Sequence, residues 1–170
     1  GDMDLSIIRE KPNIRKPVKT YSKPENKIED IIKFVKKEIK QGNQIFWVCP
    51  LIEESKKIDH SSAVKKSEYL NKLFPKQVFL LHGKTTTDEK EIILNKFLNN
   101  EFKILVSTTI IEVGIDFPNA NVIIIENANK FGLSQLHQLR GRVGRGSKES
   151  SCILMFKSNL SDNAKKRINI

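Results

Sequence analysis

Only two of the 170 residues are cysteines, Cys49 and Cys152, which excludes a disulfide-stapled scaffold. Each sits in an apolar run and reads as a buried free thiol of a reducing compartment, ahead of a disulfide or metal ligand. Long apolar runs are missing too. The longest aliphatic stretch is Val122 to Ile125, far short of the roughly 20 residues that cross a bilayer. No charged n-region precedes an apolar one, so neither a membrane partner nor a secretory signal is expected. The three histidines are scattered and no metal site is expected; no Ser/His/Asp or Cys/His nucleophile arrangement stands out. Acidic residues are in deficit: 20 Asp+Glu against 30 Lys+Arg leave a net charge of +10. That surplus favours a polyanionic partner, and a solvated basic face explains it equally well.

A phosphate-binding loop is also lacking. Gly83-Lys84-Thr85 follows a strand-like run and precedes a helical one, as the end of such a loop does. The full motif needs another glycine five positions before Gly83, so that backbone amides can wrap the phosphates. Position 78 is Val, inside the apolar run. Glu126, after Val122 to Ile125, has the place of a metal-facing carboxylate but no phosphate loop to serve, and reads as an ordinary strand-end acid.

What is present is a regular alternation. Residues 1–27 carry Pro12 and Pro17, scattered charge and little periodicity, and read as an extended connector. Between Arg9 and Lys40 there are 11 basic and 5 acidic residues. The opening, with Leu5, Ile7 and Ile8 wanting burial, points to a piece of something larger. From residue 28 the periods sharpen. Ile28, Ile31, Ile32, Val35 and Ile39 have helical spacing that stops at Gly42. Further helices are expected over 62–74, over 88–99 (Ile92, Ile93 and Phe97 inward, Thr87 as cap) and over 134–142. Strands are expected over 44–49, 77–82, 103–107, 121–126 and 151–156, and a polar segment with a helix start after Ser161 closes the chain. Strands apolar on both faces that alternate with helices imply an α/β fold with a parallel sheet covered on both sides. In such sheets ligands bind at loops beyond the carboxyl ends of the strands.

Two segments carry chemistry. The first runs Gln138-Leu-Arg140-Gly141-Arg142-Val-Gly144-Arg145-Gly146. Arginines ending a helix usually face solvent, but here three of them interleave with three glycines. Glycine lets a backbone approach a ligand, and arginine offers a charged donor fork to phosphate oxygens. Arg142 and Arg145 are three apart, share a side in a helix, and repel unless an anion lies between them. The second is Val106-Ser-Thr108-Thr109-Ile-Ile-Glu112-Val-Gly114-Ile-Asp116-Phe-Pro118. Thr108 and Thr109 have hydroxyls for a phosphate backbone, Gly114 allows close approach and Asp116 can accept from a ribose hydroxyl. The same segment also reads as a strand–turn unit with Thr as cap and Asp-Phe-Pro as turn.

In order and separation, these segments resemble motifs V and VI of superfamily 2 helicases; motif VI there reads Gln-x-x-Gly-Arg-x-x-Arg, here Gln138 to Arg145. Val48-Cys-Pro-Leu-Ile-Glu-Glu-Ser55, Leu81-His-Gly83 and Phe131 through Gly146 narrow the resemblance to the RecG family of branched-DNA helicases. The motor of the transcription–repair coupling factor shares most of the last block, but it continues with Ser where this chain has Gly146 and lacks the 48–55 block. The resemblance implies a RecA-like three-layer sandwich with a mostly parallel sheet, the second motor domain of a helicase, without a phosphate loop of its own. It divides the chain into a connector (1–27), the motor domain (28–157) and the start of a further segment (158–170). It implies that Arg142 and Arg145 act as arginine fingers, with Gln138, Gly114 and Asp116 at the nucleotide. Pro50 to Ile52, His82, Gly83, Lys84, Ser107, Thr108 and Thr109 would grip DNA. ATP with Mg²⁺ would be held mainly by the first motor domain of the same polypeptide, and a wedge domain would complete the partners of forked DNA. A bacterial cytoplasmic, nucleoid-associated location follows, and so does an inactive isolated fragment. A non-enzymatic basic nucleic-acid-binding module is the competing class; it explains the charge but not Gly114, Asp116 and paired arginines on the ligand edge of a sheet.

Overall fold

Apolar residues at positions 28, 31, 32, 35 and 39 fold into helix α1 (Ile28–Lys40), which buries Ile31, Ile32 and Val35. Its end is a Schellman motif. Gly42 takes a positive φ of 87°, its N–H donates to Ile39 O at 3.0 Å, and the Asn43 N–H donates to Glu38 O at 3.0 Å. The computed structural model describes residues 18–49, 56–108, 119–128 and 150–157. Within them lie strands β1 (Val18–Pro24), β2 (Ile45–Val48), β3 (Val78–Leu81), β4 (Ile104–Ser107), β5 (Val122–Ile125) and β6 (Ser150–Phe156), with helices α2 (Lys56–Leu73) and α3 (Thr87–Leu98).

The strands form one sheet in the order β1-β6-β5-β2-β4-β3, and every pairing is parallel. Alternate residues of β2 serve the two faces. Ile45 and Trp47 join Val35 of α1, Leu70 of α2 and Phe74 just after α2 in one core. Phe46 and Val48 join Leu94 and Phe97 of α3, and Phe102, in the other. Helices on both faces of a parallel sheet make the expected three layers. All four residues of β2, β4 and β5 are buried, which is why their sequences are continuously apolar. At the amino edge the buried Gln44 side chain donates to Phe97 O and Phe102 O, each at 2.8 Å.

Four expectations change. Residues 18–24, in the stretch read as connector, form edge strand β1 against β6, so the folded unit begins before residue 28. Helix α2 starts at Lys56, with Ser61 and Ser62 inside it, because interior serine costs a helix only tenths of a kcal/mol. The cap of α3 is Thr86, not Thr87: Thr86 Oγ1 accepts the Glu89 N–H at 3.2 Å, three positions on. Ile92 points outward, 55% exposed, and Leu94 takes the inner place with Ile93 and Phe97. The 93, 94, 97 set follows the 3.6-residue period; position 92 lies off that stripe. The helix expected over 134–142 and the segment 158–170 lie outside the described residues.

Candidate functional site at the carboxyl edge of the sheet

In a parallel sheet every strand delivers its following loop to the same edge, and here three backbone bonds fix the order. The Glu126 N–H donates to Val48 O at 2.9 Å, the Cys49 N–H to Ser107 O at 2.7 Å and the Thr108 N–H to Leu81 O at 3.1 Å. The exits of β5, β2, β4 and β3 are therefore neighbours. The first three lead, in sequence, to the arginine–glycine block, to Pro50 and to the Thr109–Asp116 segment; the fourth leads to His82, Gly83 and Lys84. Pro50, Thr109, Gly114, Asp116, Gln138, Arg142 and Arg145 lie outside the described residues.

The turn after β3 is tightly made. The His82 N–H donates to Thr85 Oγ1 at 3.0 Å, the Thr85 N–H returns to His82 O at 3.0 Å, and the Lys84 N–H donates to His82 Nδ1 at 3.1 Å. These N–H groups are already engaged, and Val78 is a strand residue paired with Ile104, so no phosphate loop forms here. Gly83 and Lys84 are exposed, and a Cβ added at Gly83 meets nothing within 4 Å. That open space suits a ligand backbone rather than an internal contact.

Ser107 and Thr108 reach the same edge but lie beneath it, at 0% and 2% exposure. Thr108 Oγ1 is buried and has no hydrogen-bond partner among the described residues. The sequence expects these hydroxyls at a phosphate backbone; the structure buries both. Of the residues expected to face DNA, Gly83 and Lys84 are the exposed ones among those described.

Glu126 is more than a strand-end acid. Its Oε2 accepts the Trp47 indole N–H and lies 3.7 Å from Lys66 Nζ of α2. The same ammonium stands 5.7 Å from the Trp47 ring centre and 5.6 Å from that of Tyr69. Beside them, burial pushes the Cys49 thiol well above its ordinary value; the Glu126 charge and a hydrogen bond with Glu126 add to the rise, and Lys66 opposes it. Among the described residues no three His, Cys, Asp or Glu side chains could hold a metal ion together, and no helix is long and apolar enough to cross a membrane.

This parallel sheet, layered by helices and gathering its loops on one edge, is the architecture of a RecA-like helicase motor domain. The helicase conserved C-terminal domain family matches residues 26–147, and the chain belongs to it. Within that family it is similar to RecG. The ATP-dependent DNA helicase RecG of Bacillus subtilis is 47% identical over 172 residues, which cover 100% of this chain and 25% of that protein. A solved structure of RecG bound to a three-way DNA junction superposes with a TM-score of 0.74 at 44% identity, covering 91% of this chain and 20% of that one. Domain 2 of the DEAD-box helicase Mss116p, bound to an RNA duplex, shares the fold at a TM-score of 0.64 and 23% identity, over 82% of this chain and 54% of its own. The chain thus spans about a quarter of the RecG relative's length.

Proposed function

We propose that this chain is the second, finger-supplying half of the ATP-driven motor of a helicase that acts on branched DNA. The observation that carries the reading is the row of backbone bonds Glu126–Val48, Cys49–Ser107 and Thr108–Leu81. It sets the starts of the expected nucleotide-facing and DNA-facing segments side by side. Within the reading, Arg142 and Arg145 reach the γ-phosphate of ATP, Gln138 supports them, and Gly114 and Asp116 lie at the nucleotide. Phosphoryl transfer spreads negative charge over oxygens, and one arginine there is worth about 10³ to 10⁵ in rate, or roughly 4 to 7 kcal/mol. ATP and Mg²⁺ belong mainly to the first motor domain of the same polypeptide, a reading supported by the closed turn after β3, which forms no phosphate loop there.

DNA is held through its phosphates by Pro50 to Ile52, by His82, Gly83 and Lys84, and by Thr109, without base reading; Ser107 and Thr108, buried beneath that edge, support it rather than touch the strand. Because the fingers and the phosphate loop sit in different domains, ATP closes the cleft and hydrolysis reopens it, which moves the strand. A wedge domain in the same polypeptide meets the fork, and the protein works in the bacterial cytoplasm on the nucleoid. In the full-length protein, branched DNA should stimulate ATP hydrolysis, and Arg145→Ala should lower kcat at least a hundredfold at unchanged DNA affinity. Equal activity of variant and wild type would overturn the finger assignment.

A further inference from the structure

We infer that Glu126 is a positioning residue that makes ATP turnover respond to DNA, by tying the exit of β5 to the exit of β2 and to α2; the inference rests on the reading above. Three elements meet on this carboxylate. Its backbone N–H donates to Val48 O at 2.9 Å, its Oε2 accepts from Trp47 Nε1 of β2, and Lys66 of α2 lies 3.7 Å away. Trp47 is 0% exposed, so its single donor needs an acceptor inside the protein. The carboxylate in turn needs a cation, since the Glu126 and Lys66 side chains are only 19% and 23% exposed. Apolar side chains would hold the same elements at least as well, because a largely buried ion pair gains little over good packing.

The position explains a charged lock. Downstream of Glu126 in sequence come Gln138, Arg142 and Arg145, the nucleotide side of the proposed motor. Downstream of Trp47 come Pro50 to Ile52, on the DNA side, and then α2 with Lys66. Asn127, immediately after the carboxylate, has a positive φ of 50°, so the chain turns sharply just where it is anchored. A carboxylate held by both β2 and α2 registers displacement of either and passes it to the end of β5. Glu126 touches no reacting atom in this scheme; it acts through the segments it anchors.

The test uses the full-length protein with a branched DNA substrate, comparing wild type, Glu126→Ala, Glu126→Gln and Lys66→Met. The readout is the ratio of kcat with saturating DNA to kcat without DNA, measured beside DNA affinity and thermal stability. The expected result is a ratio at least fivefold lower in Glu126→Ala. Unstimulated ATPase and DNA affinity should stay within about twofold, and the double variant with Lys66→Met should be no worse than Glu126→Ala. Should Glu126→Ala fail to fold, Glu126→Gln and Lys66→Met carry the test, since Gln keeps an acceptor for Trp47 while removing the charge that faces Lys66. A purely structural residue would lower both rates together and leave the ratio unmoved, and that outcome overturns the proposal, as does additivity of the two substitutions. A wild type whose ATPase ignores DNA overturns the motor assignment itself, which separates the two failures.

Discussion

The Thr108 N–H donates to the carbonyl of Leu81 at 3.1 Å, so the chain leaving β4 starts beside the chain leaving β3. One of these strands leads towards the segment expected at the nucleotide and the other into the exposed Gly83–Lys84 turn. Their adjacency follows from sheet order rather than from any direct side-chain bond. β4 lies between β2 and β3, and a strand buried on both faces, as β4 is, has little freedom to shift register. In the proposed motor, a rigid edge of this kind would hold the DNA-facing and nucleotide-facing loops in fixed relation while the domain moves as a body.

Lys84 is the exposed cation of that edge turn, and its backbone is held by His82 Nδ1 at 3.1 Å. Lys84→Gln in the full-length protein should weaken DNA binding by a similar factor for every sequence. It should also reduce the slope of log affinity against log salt by about one. Thermal stability should not move, because Lys84 is exposed. Filter binding or fluorescence anisotropy over a salt series checks this, and an unchanged slope would remove Lys84 from the DNA contact set.

Much of this fold was legible because burial leaves a period in the sequence. The helical spacing from Ile28 to Ile39 and the continuous apolar runs of β2, β4 and β5 located four elements to within a residue or two. β1 was not legible: Lys19, Tyr21 and Lys23 are exposed, and pairing with β6 supplies the order that local pattern lacks. The helix expected from 62 begins at Lys56, and the misplaced cap at Thr87 came from reading threonine as a signal when only the geometry of the first turn decides. At the site, the order of the segments along the chain was readable, whereas burial of Ser107 and Thr108 was not. The engagement of Glu126 was hidden for a simpler reason. Its partner Trp47 is 79 residues away in sequence, and a strand-end acid looks the same with or without such a partner.

Gly42 ends α1 in the left-handed region at φ 87°, with nothing within 4 Å of where a Cβ would stand. The cost of a side chain there is therefore conformational and not steric crowding by neighbours. Gly42→Ala should destabilise the domain by about 1 to 2 kcal/mol, read as a lower urea midpoint at constant m-value. Gly42→Asn should cost clearly less. Asn100 holds the equivalent position after α3 at φ 61°, with its N–H on Phe97 O at 3.0 Å and that of Glu101 on Lys96 O at 2.9 Å. Equal losses for Ala and Asn would mean that the end of α1 does not depend on the left-handed residue.

Cys49 is 6% exposed, and its thiol is held well above the ordinary value by burial, then by the Glu126 charge. The thiolate is the nucleophile, so at pH 7.5 alkylation of Cys49 by iodoacetamide should be at least tenfold slower than that of an exposed thiol. The same shift sets a pH dependence of stability. In the folded chain the proton is retained to higher pH than in the unfolded chain. The stabilising contribution is therefore complete below the unfolded thiol value, about 8.5, and is lost as pH rises through the folded one. Above pH about 8.5 the wild type should lose stability relative to Cys49→Ala, with a slope approaching 1.4 kcal/mol per pH unit, roughly one proton's worth. Urea unfolding of both proteins between pH 7 and 10 measures the difference. A difference that stays flat across that range would show that Cys49 ionises as readily folded as unfolded, and that Glu126 does not press on it.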